Sequence, residues 1–195
     1  RYRIDAVSAL KELAFYLVSN PASLISYNKL KEQLRLGSVN TVSSYVNYME
    51  NSWLLFTLNV YDFSLRRQQI APKKVYCIDT GLSHTVGFNF SADTGKLLEN
   101  LVFLVLRRTT RDIYYCTTPG GYEVDFYLPE IRQLIQVAQH LENPTTRERE
   151  FRAVEDALKG MPVKSMLILA GANEAEKEIN GVPVEVRSVS EWLVQ

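Results

Sequence analysis

Apolar residues recur three and four positions apart in Ile4, Val7, Leu10, Leu13, Ala14, Leu17 and Val18, and Asn20-Pro21 ends the run. Positions so spaced share one helical face, so an amphipathic first helix is expected. Ser26 is placed to cap a short second helix closing near Leu34. The Leu36-Gly37-Ser38 turn then leads into a third helix from Val39 to about Asn51, with Val42, Tyr45, Val46 and Met49 facing inward. Trp53 to Tyr61 and Lys73 to Asp79 are rich in aromatic and β-branched residues and read as strands, separated by the charged stretch Arg66-Arg67-Gln68-Gln69 and closed by Thr80-Gly81. Trp53 and Tyr61 are expected in the core.

Three helices followed by strand, loop and strand is the order of a winged helix-turn-helix, assigned to residues 1–86. Gly87 to Gly95, with Asn89, Ser91, Asp93 and Thr94, reads as a polar connector. Beyond it the pattern changes. An apolar helix, Gly95 to Arg108, precedes three expected strands: Ile113–Thr117, Tyr122–Leu128 and Leu134–Ala138. An amphipathic helix spans Thr146–Lys159, with Phe151, Val154 and Leu158 inward and Gly160 past its end. The unbroken apolar run Lys164–Ala170 suits a buried strand, Glu174–Glu178 a solvated helical turn, and Val182–Val189 a last strand before a short helix capped by Ser190. The expected fold class is α/β, with residues 95–195 forming a mixed sheet flanked by helices.

Composition narrows this reading. The 195 residues are 46% hydrophobic and 23% charged, with formal net charge +0, so no global basic field draws the chain to nucleic acid and any such surface must be local. Cys77 and Cys116 lie in apolar strand-like runs and are expected as buried free thiols. His84 and His140 have no acid or nucleophile at a catalytic spacing. The longest apolar run, Leu97–Leu106, is broken by Glu99 and Asn100 and is far short of a membrane span, and no signal peptide is visible. A cytoplasmic protein without a membrane partner is expected, and Arg1 reads as the start of a fragment.

The second domain carries acids in two successive elements: Glu99 in the helix and Asp125 in the strand Glu123–Leu128. The next strand reads Leu134-Ile135-Gln136-Val137-Ala138, and alternation puts Gln136 and Ala138 on the face that meets Asp125. A magnesium nuclease needs oxygen ligands and a nearby cation. This strand supplies an amide and a methyl. The set resembles the PD-(D/E)XK nuclease superfamily, which implies metal-ligand positions at Glu99, Asp125 and Gln136, with Ala138 on the lysine position. The expectation is a degenerate site with weak or no magnesium binding and no phosphodiester cleavage.

The segments Pro72–Leu82, Gly95-Lys96-Leu97-Leu98-Glu99-Asn100 and Glu123-Val124-Asp125-Phe126, with Thr145–Glu150 before its helix, together resemble the C-terminal region of a prokaryotic family of AAA-type P-loop ATPases. That resemblance implies a winged helix and a nuclease-like domain of uncharacterised role, following an ATPase domain. No Gly-x-x-x-x-Gly-Lys-Ser/Thr occurs here, so ATP is expected only in a domain upstream of Arg1.

The outer side of the third helix offers Asn40, Thr41 and Ser44, small polar groups able to reach base edges, and Arg66 and Arg67 stand where a wing would meet the phosphate backbone. DNA, a partner protein and the protein's own ATPase domain are the expected partners of a noncatalytic binding region. Two alternatives stand beside it: a metal-dependent nuclease using Glu99, Asp125 and Gln136, and an interaction module with no nucleic-acid role.

Overall fold

The structure is a computed structural model that describes residues 7–87 and 94–194. Ile4 and most of the polar connector therefore lie outside the described residues. The chain forms two compact units that interleave in sequence: residues 1–58 with 70–100, and residues 59–69 with 101–195. The architecture is mixed α/β, as the sequence pattern implies.

In the first unit, α1 (Val7–Ser19), α2 (Tyr27–Gln33) and α3 (Val39–Asn51) gather Leu13, Leu17, Leu30, Val42, Tyr45, Val46 and Met49 into one apolar cluster. The cluster is closed by Ile25, Leu55 and Val75 from a three-stranded antiparallel sheet of order β1-β3-β2: β1 (Ser23–Ile25), β3 (Lys73–Cys77) and β2 (Leu55–Leu58). All four inward positions expected for α3 are buried. Its start is fixed by Ser38, whose Oγ accepts the Thr41 N–H at 3.1 Å.

The helix ends depart from expectation. Arg35 (φ 50°) follows α2 and Trp53 (φ 60°) follows α3, both in the left-handed region that glycine favours. In each case the two following N–H groups return to the last turn: Arg35 to Glu32 O and Leu36 to Lys31 O, and Trp53 to Glu50 O and Leu54 to Met49 O. These are the paired bonds of a Schellman cap. The cap lifts Trp53 out of the strand and corrects its expected core position: the side chain is 62% exposed and meets Phe56 edge-on at 5.9 Å. A further helix, α5 (Thr80–Val86), lies where a strand end and turn are expected, because the Asp79 carboxylate accepts the Leu82 N–H at 2.7 Å and caps it.

The other face of this sheet receives the start of α6 (Thr94–Thr109). Asn100 is fully buried and behaves like one more strand residue: Cys77 N–H donates to its Oδ1 at 2.7 Å and its Nδ2 donates to Cys77 O at 2.9 Å. Beside it, Glu99 Oε1 accepts Lys74 Nζ at 2.8 Å and the Tyr76 hydroxyl at 2.7 Å. Both cysteines are buried and free.

The second unit is built on a six-stranded mixed sheet of order β4-β5-β6-β7-β9-β8. Its strands are β4 (Tyr114–Thr117), β5 (Glu123–Leu128), β6 (Gln133–Val137), β7 (Ser165–Ala170), β8 (Glu174–Ile179) and β9 (Val182–Ser188). Strands β6, β7 and β9 run parallel, and the remaining pairs are antiparallel. Leu134, Met166, Ile168, Val184 and Val186 share a core cluster with Ala153, Val154 and Ala157 of α7 (Pro144–Ala157). Phe126, on the opposite face, stacks on Phe103 of α6 at 6.3 Å.

The acidic segment Glu174–Ile179 is a strand, not the expected helical turn. Asn180 (φ 52°) and Gly181 (φ 80°) form a tight hairpin turn that pairs it with β9, and Arg147 holds Glu174 through two bonds of 2.6 Å. The last helix, α8 (Val189–Leu193), follows Ser188 rather than Ser190 in the capping position, without a side-chain cap bond. Segment 59–61 runs beside β4, with Tyr61 N–H donating to Tyr115 O at 2.7 Å and Tyr115 N–H to Asn59 O at 3.1 Å. It leads into α4 (Leu65–Ile70), a helix where a charged loop is expected.

Asn100→Ala leaves two buried backbone groups of Cys77 unpaired, and urea unfolding should register a loss of roughly 3 kcal/mol. Lys74→Met strands a buried carboxylate and should cost about 3–5 kcal/mol, whereas Lys74→Met combined with Glu99→Leu should cost clearly less than the two single losses added. Additive losses would show that Lys74 and Glu99 are not coupled.

Candidate functional site

The residues expected to form a nuclease-like site are each held by a specific bond. Glu99 belongs to the first unit, where it accepts from Lys74 and Tyr76. Asp125, Gln136 and Ala138 belong to the second, and β5–β6 pairing brings Asp125 and Gln136 together as alternation implies. Asp125 N–H donates to Gln136 Oε1 at 3.2 Å, and Val137 N–H donates to Asp125 Oδ2 at 2.9 Å.

The other end of the Gln136 amide donates to Glu150 Oε2 on α7 at 2.7 Å, and Arg149 Nε donates to Glu150 Oε1 at 3.0 Å. This chain of bonds crosses the apolar layer from β5 to the helix surface. A buried polar group surrounded by hydrocarbon is tolerated when its bonding capacity is filled, and Gln136 fills both ends. Ala138 is buried in the core cluster with Leu134 and Val154.

Gln136 Oε1 accepts from Asp125 N–H, and its nitrogen donates to Glu150. Among the described residues, no group of three or more His, Cys, Asp or Glu side chains is placed to hold a metal ion. Glu150 is the member that inspection of the strands missed. Its signal lay in its burial: an acid at the inward spacing of α7 needs a partner.

A second polar tie holds the far end of α7. Gly120 N–H donates to Asp156 Oδ2, and a Cβ at Gly120 would stand 2.6 Å from that oxygen, so a larger residue there would have to displace the Asp156 carboxylate. The Thr118 hydroxyl, the Gly120 N–H and Lys159 together hold the Asp156 carboxyl below its usual range. Glu174 is held down likewise by Arg147 and Lys177.

The residues expected to meet DNA fall in different parts of the fold. On α3, Asn40 is exposed and Ser44 half-buried. Thr41 is drawn into the helix cap, its hydroxyl 3.0 Å from Ser38 Oγ. Asn47 and Asn51 extend the same outer side, which carries no charged residue. Arg66 and Arg67 are exposed on α4, and Arg67 pairs with Asp62 at 3.2 Å. His140 is an exposed partner of Glu142 at 3.1 Å. No helix among the described residues is long and apolar enough to cross a membrane.

Comparison with known proteins returns chains whose roles are equally open. Residues 2–94 match a domain of unknown function (DUF8612). The chain is similar to the uncharacterized protein MJ1544 of Methanocaldococcus jannaschii, 34% identical over 175 residues that make up 85% of this chain and 38% of the relative. It is also similar to an uncharacterized protein of Haemophilus influenzae, 26% identical over 196 residues, 95% of this chain and 46% of the relative. The chain thus spans less than half the length of either relative. No solved structure matches it.

The two depressed carboxyls fix the sign of a pH dependence. A group whose folded pKa lies below its unfolded value adds stability above the unfolded carboxyl range, near 4, and that stability is lost as pH falls through the folded value. Thermal unfolding followed from pH 7 downward should show a falling midpoint, and the fall should be shallower in Asp156→Asn plus Glu174→Gln. Parallel curves for variant and parent would remove these two groups from the account.

Proposed function

We propose that this region is a noncatalytic nucleic-acid-binding part of a larger ATPase, carrying a nuclease-like scaffold whose polar residues have become structural ties. The observation that carries this reading is Gln136, whose amide joins Asp125 to Glu150 and so holds β5, β6 and α7 together. A residue bonded at both ends in this way supports the sheet.

The element order supports the ancestry. Helix α6, strands β4, β5 and β6, helix α7 and strand β7 follow the sequence of the nuclease-like core, with β6 and β7 parallel. The first unit places a helix, a tight turn and a helix before an antiparallel sheet, in keeping with a winged helix-turn-helix. Its α3 presents Asn40, Ser44 and Asn47, amides and a hydroxyl that can both donate to and accept from base edges. The ATPase parent rests on the resemblance of Pro72–Leu82, Gly95–Asn100 and Glu123–Phe126, and ATP would belong to that parent's own P-loop domain.

Incubation of the purified protein with duplex and single-stranded DNA in magnesium or manganese should give no cleavage, while mobility shifts should show binding that weakens with salt. Asn40→Ala with Ser44→Ala should reduce duplex affinity by about tenfold. Metal-dependent cleavage abolished by Asp125→Ala would overturn the noncatalytic reading. Absence of binding to any nucleic acid at low salt would overturn the binding reading.

A further inference from the structure

Within the second unit, the segment between β2 and β3 carries exposed apolar side chains at its tip: Phe63 is 79% and Leu65 74% exposed. Large apolar groups left this open in a folded chain mark surfaces that meet something else. The Phe63 ring lies edge-on to Tyr61 at 5.6 Å, and Tyr61 in turn meets Tyr114 at 5.7 Å and Tyr127 at 4.6 Å. Phe63 is therefore the outer member of an aromatic series rooted in the core, where Tyr127 is buried and donates its hydroxyl to Pro162 O at 3.0 Å.

The scaffold under this ring is stiff. Segment 59–61 is bonded to β4, Ser64 N–H donates to Asp62 Oδ1 at 2.8 Å, and Gln68 Nε2 donates to Asp62 O at 2.6 Å. A ring presented on fixed backbone loses little entropy when a ligand settles on it. Cations follow it closely in the chain, on α4. Arg66 is exposed and has no ion pair among the described residues, and Arg67 remains 72% exposed although paired with Asp62. The acids near the series are Asp62, which is occupied with Ser64 and Arg67, and Asp112, which together with burial, the larger cause, holds the Tyr114 hydroxyl above its usual pKa.

We infer that Phe63, with Tyr61 and Tyr114 behind it and Arg66 and Arg67 following on α4, is a stacking platform for single-stranded nucleic acid. A flat exposed ring takes any base that is out of its duplex stack, and adjacent guanidinium groups take the phosphates that flank that base. The ligand class is an unpaired strand, DNA or RNA, because stacked bases in a duplex offer no free face. This deepens the nucleic-acid reading proposed above and rests on it, adding to the duplex contact of α3 a separate contact for an unpaired strand at Phe63 and the start of α4.

Fluorescence anisotropy with labelled oligothymidylate and oligouridylate, and with a hairpin duplex, separates the outcomes. The parent should bind both single strands, and their relative affinities name the preferred sugar. Phe63→Ala should weaken single-strand binding by about tenfold while Phe63→Trp retains it. Arg66→Ala plus Arg67→Ala should lower the slope of log affinity against log salt by about one to two. An unchanged thermal midpoint in Phe63→Ala is expected from its exposure and keeps the comparison clean. If Phe63→Ala leaves single-strand affinity intact while Asn40→Ala with Ser44→Ala abolishes duplex binding, the platform is wrong and the α3 reading stands. If no oligonucleotide binds, both fail. Self-association seen by light scattering that disappears in Phe63→Ala, without oligonucleotide binding, would assign the patch to a second copy of the chain and overturn the proposal.

Discussion

Helix α6 is held on β3 by four side-chain hydrogen bonds from two adjacent residues, and the order of the first unit depends on that attachment. Asn100 completes both backbone groups of Cys77, while Glu99 gathers Lys74 and Tyr76. Removing Lys74 and Glu99 from water is expensive, and the pair is supported because the Tyr76 hydroxyl adds a further donor to the same oxygen. Such a pair contributes little net stability over an apolar substitute. What it contributes is registry: an amide that reads both the N–H and the C=O of one residue cannot slide along the strand without losing both. Further along α6, Val102, Phe103 and Leu106 are among the second unit's buried residues.

The second unit repeats this logic with different chemistry. Gln136 and Glu150 form a polar thread through an apolar layer, and Asp156 ties the other end of α7 to the Gly120 turn. Arg147 and Glu174 add a bidentate clasp to β8, with Phe151 beneath the guanidinium at 5.1 Å. Helix α7 is thus anchored near its start, middle and end by charge-assisted bonds, while Ala153, Val154 and Ala157 supply its apolar contact. Asp125, Gln136, Glu150 and Asp156 are engaged here in holding a helix against a sheet.

Two exposed surfaces bear on the proposed binding: the outer side of α3, with Asn40 and Asn47, and the aromatic tip before α4, with Phe63. The two are chemically distinct. One offers directional hydrogen bonds and the other a ring with flanking guanidinium groups, and they suit different features of a nucleic acid.

Much of the framework was legible in local pattern. The inward face of α3, the capping position before it, the strands β3, β5, β6, β7 and β9, and the pairing of Asp125 with Gln136 follow from periods of 3.6 and 2, which depend only on neighbours along the chain. The hairpin through Asn180-Gly181 was missed because the charged run Glu174–Glu178 hid its first strand: an exposed edge strand has no apolar face to show. What only tertiary structure decided were the partners: that Glu99 meets Lys74 from twenty-five residues away, that Gln136 turns to Glu150, and that Trp53 leaves the core through a left-handed cap. Those outcomes rest on contacts between distant segments, and a side chain's chemistry names what it can bond to but not which neighbour folding will bring within 3 Å.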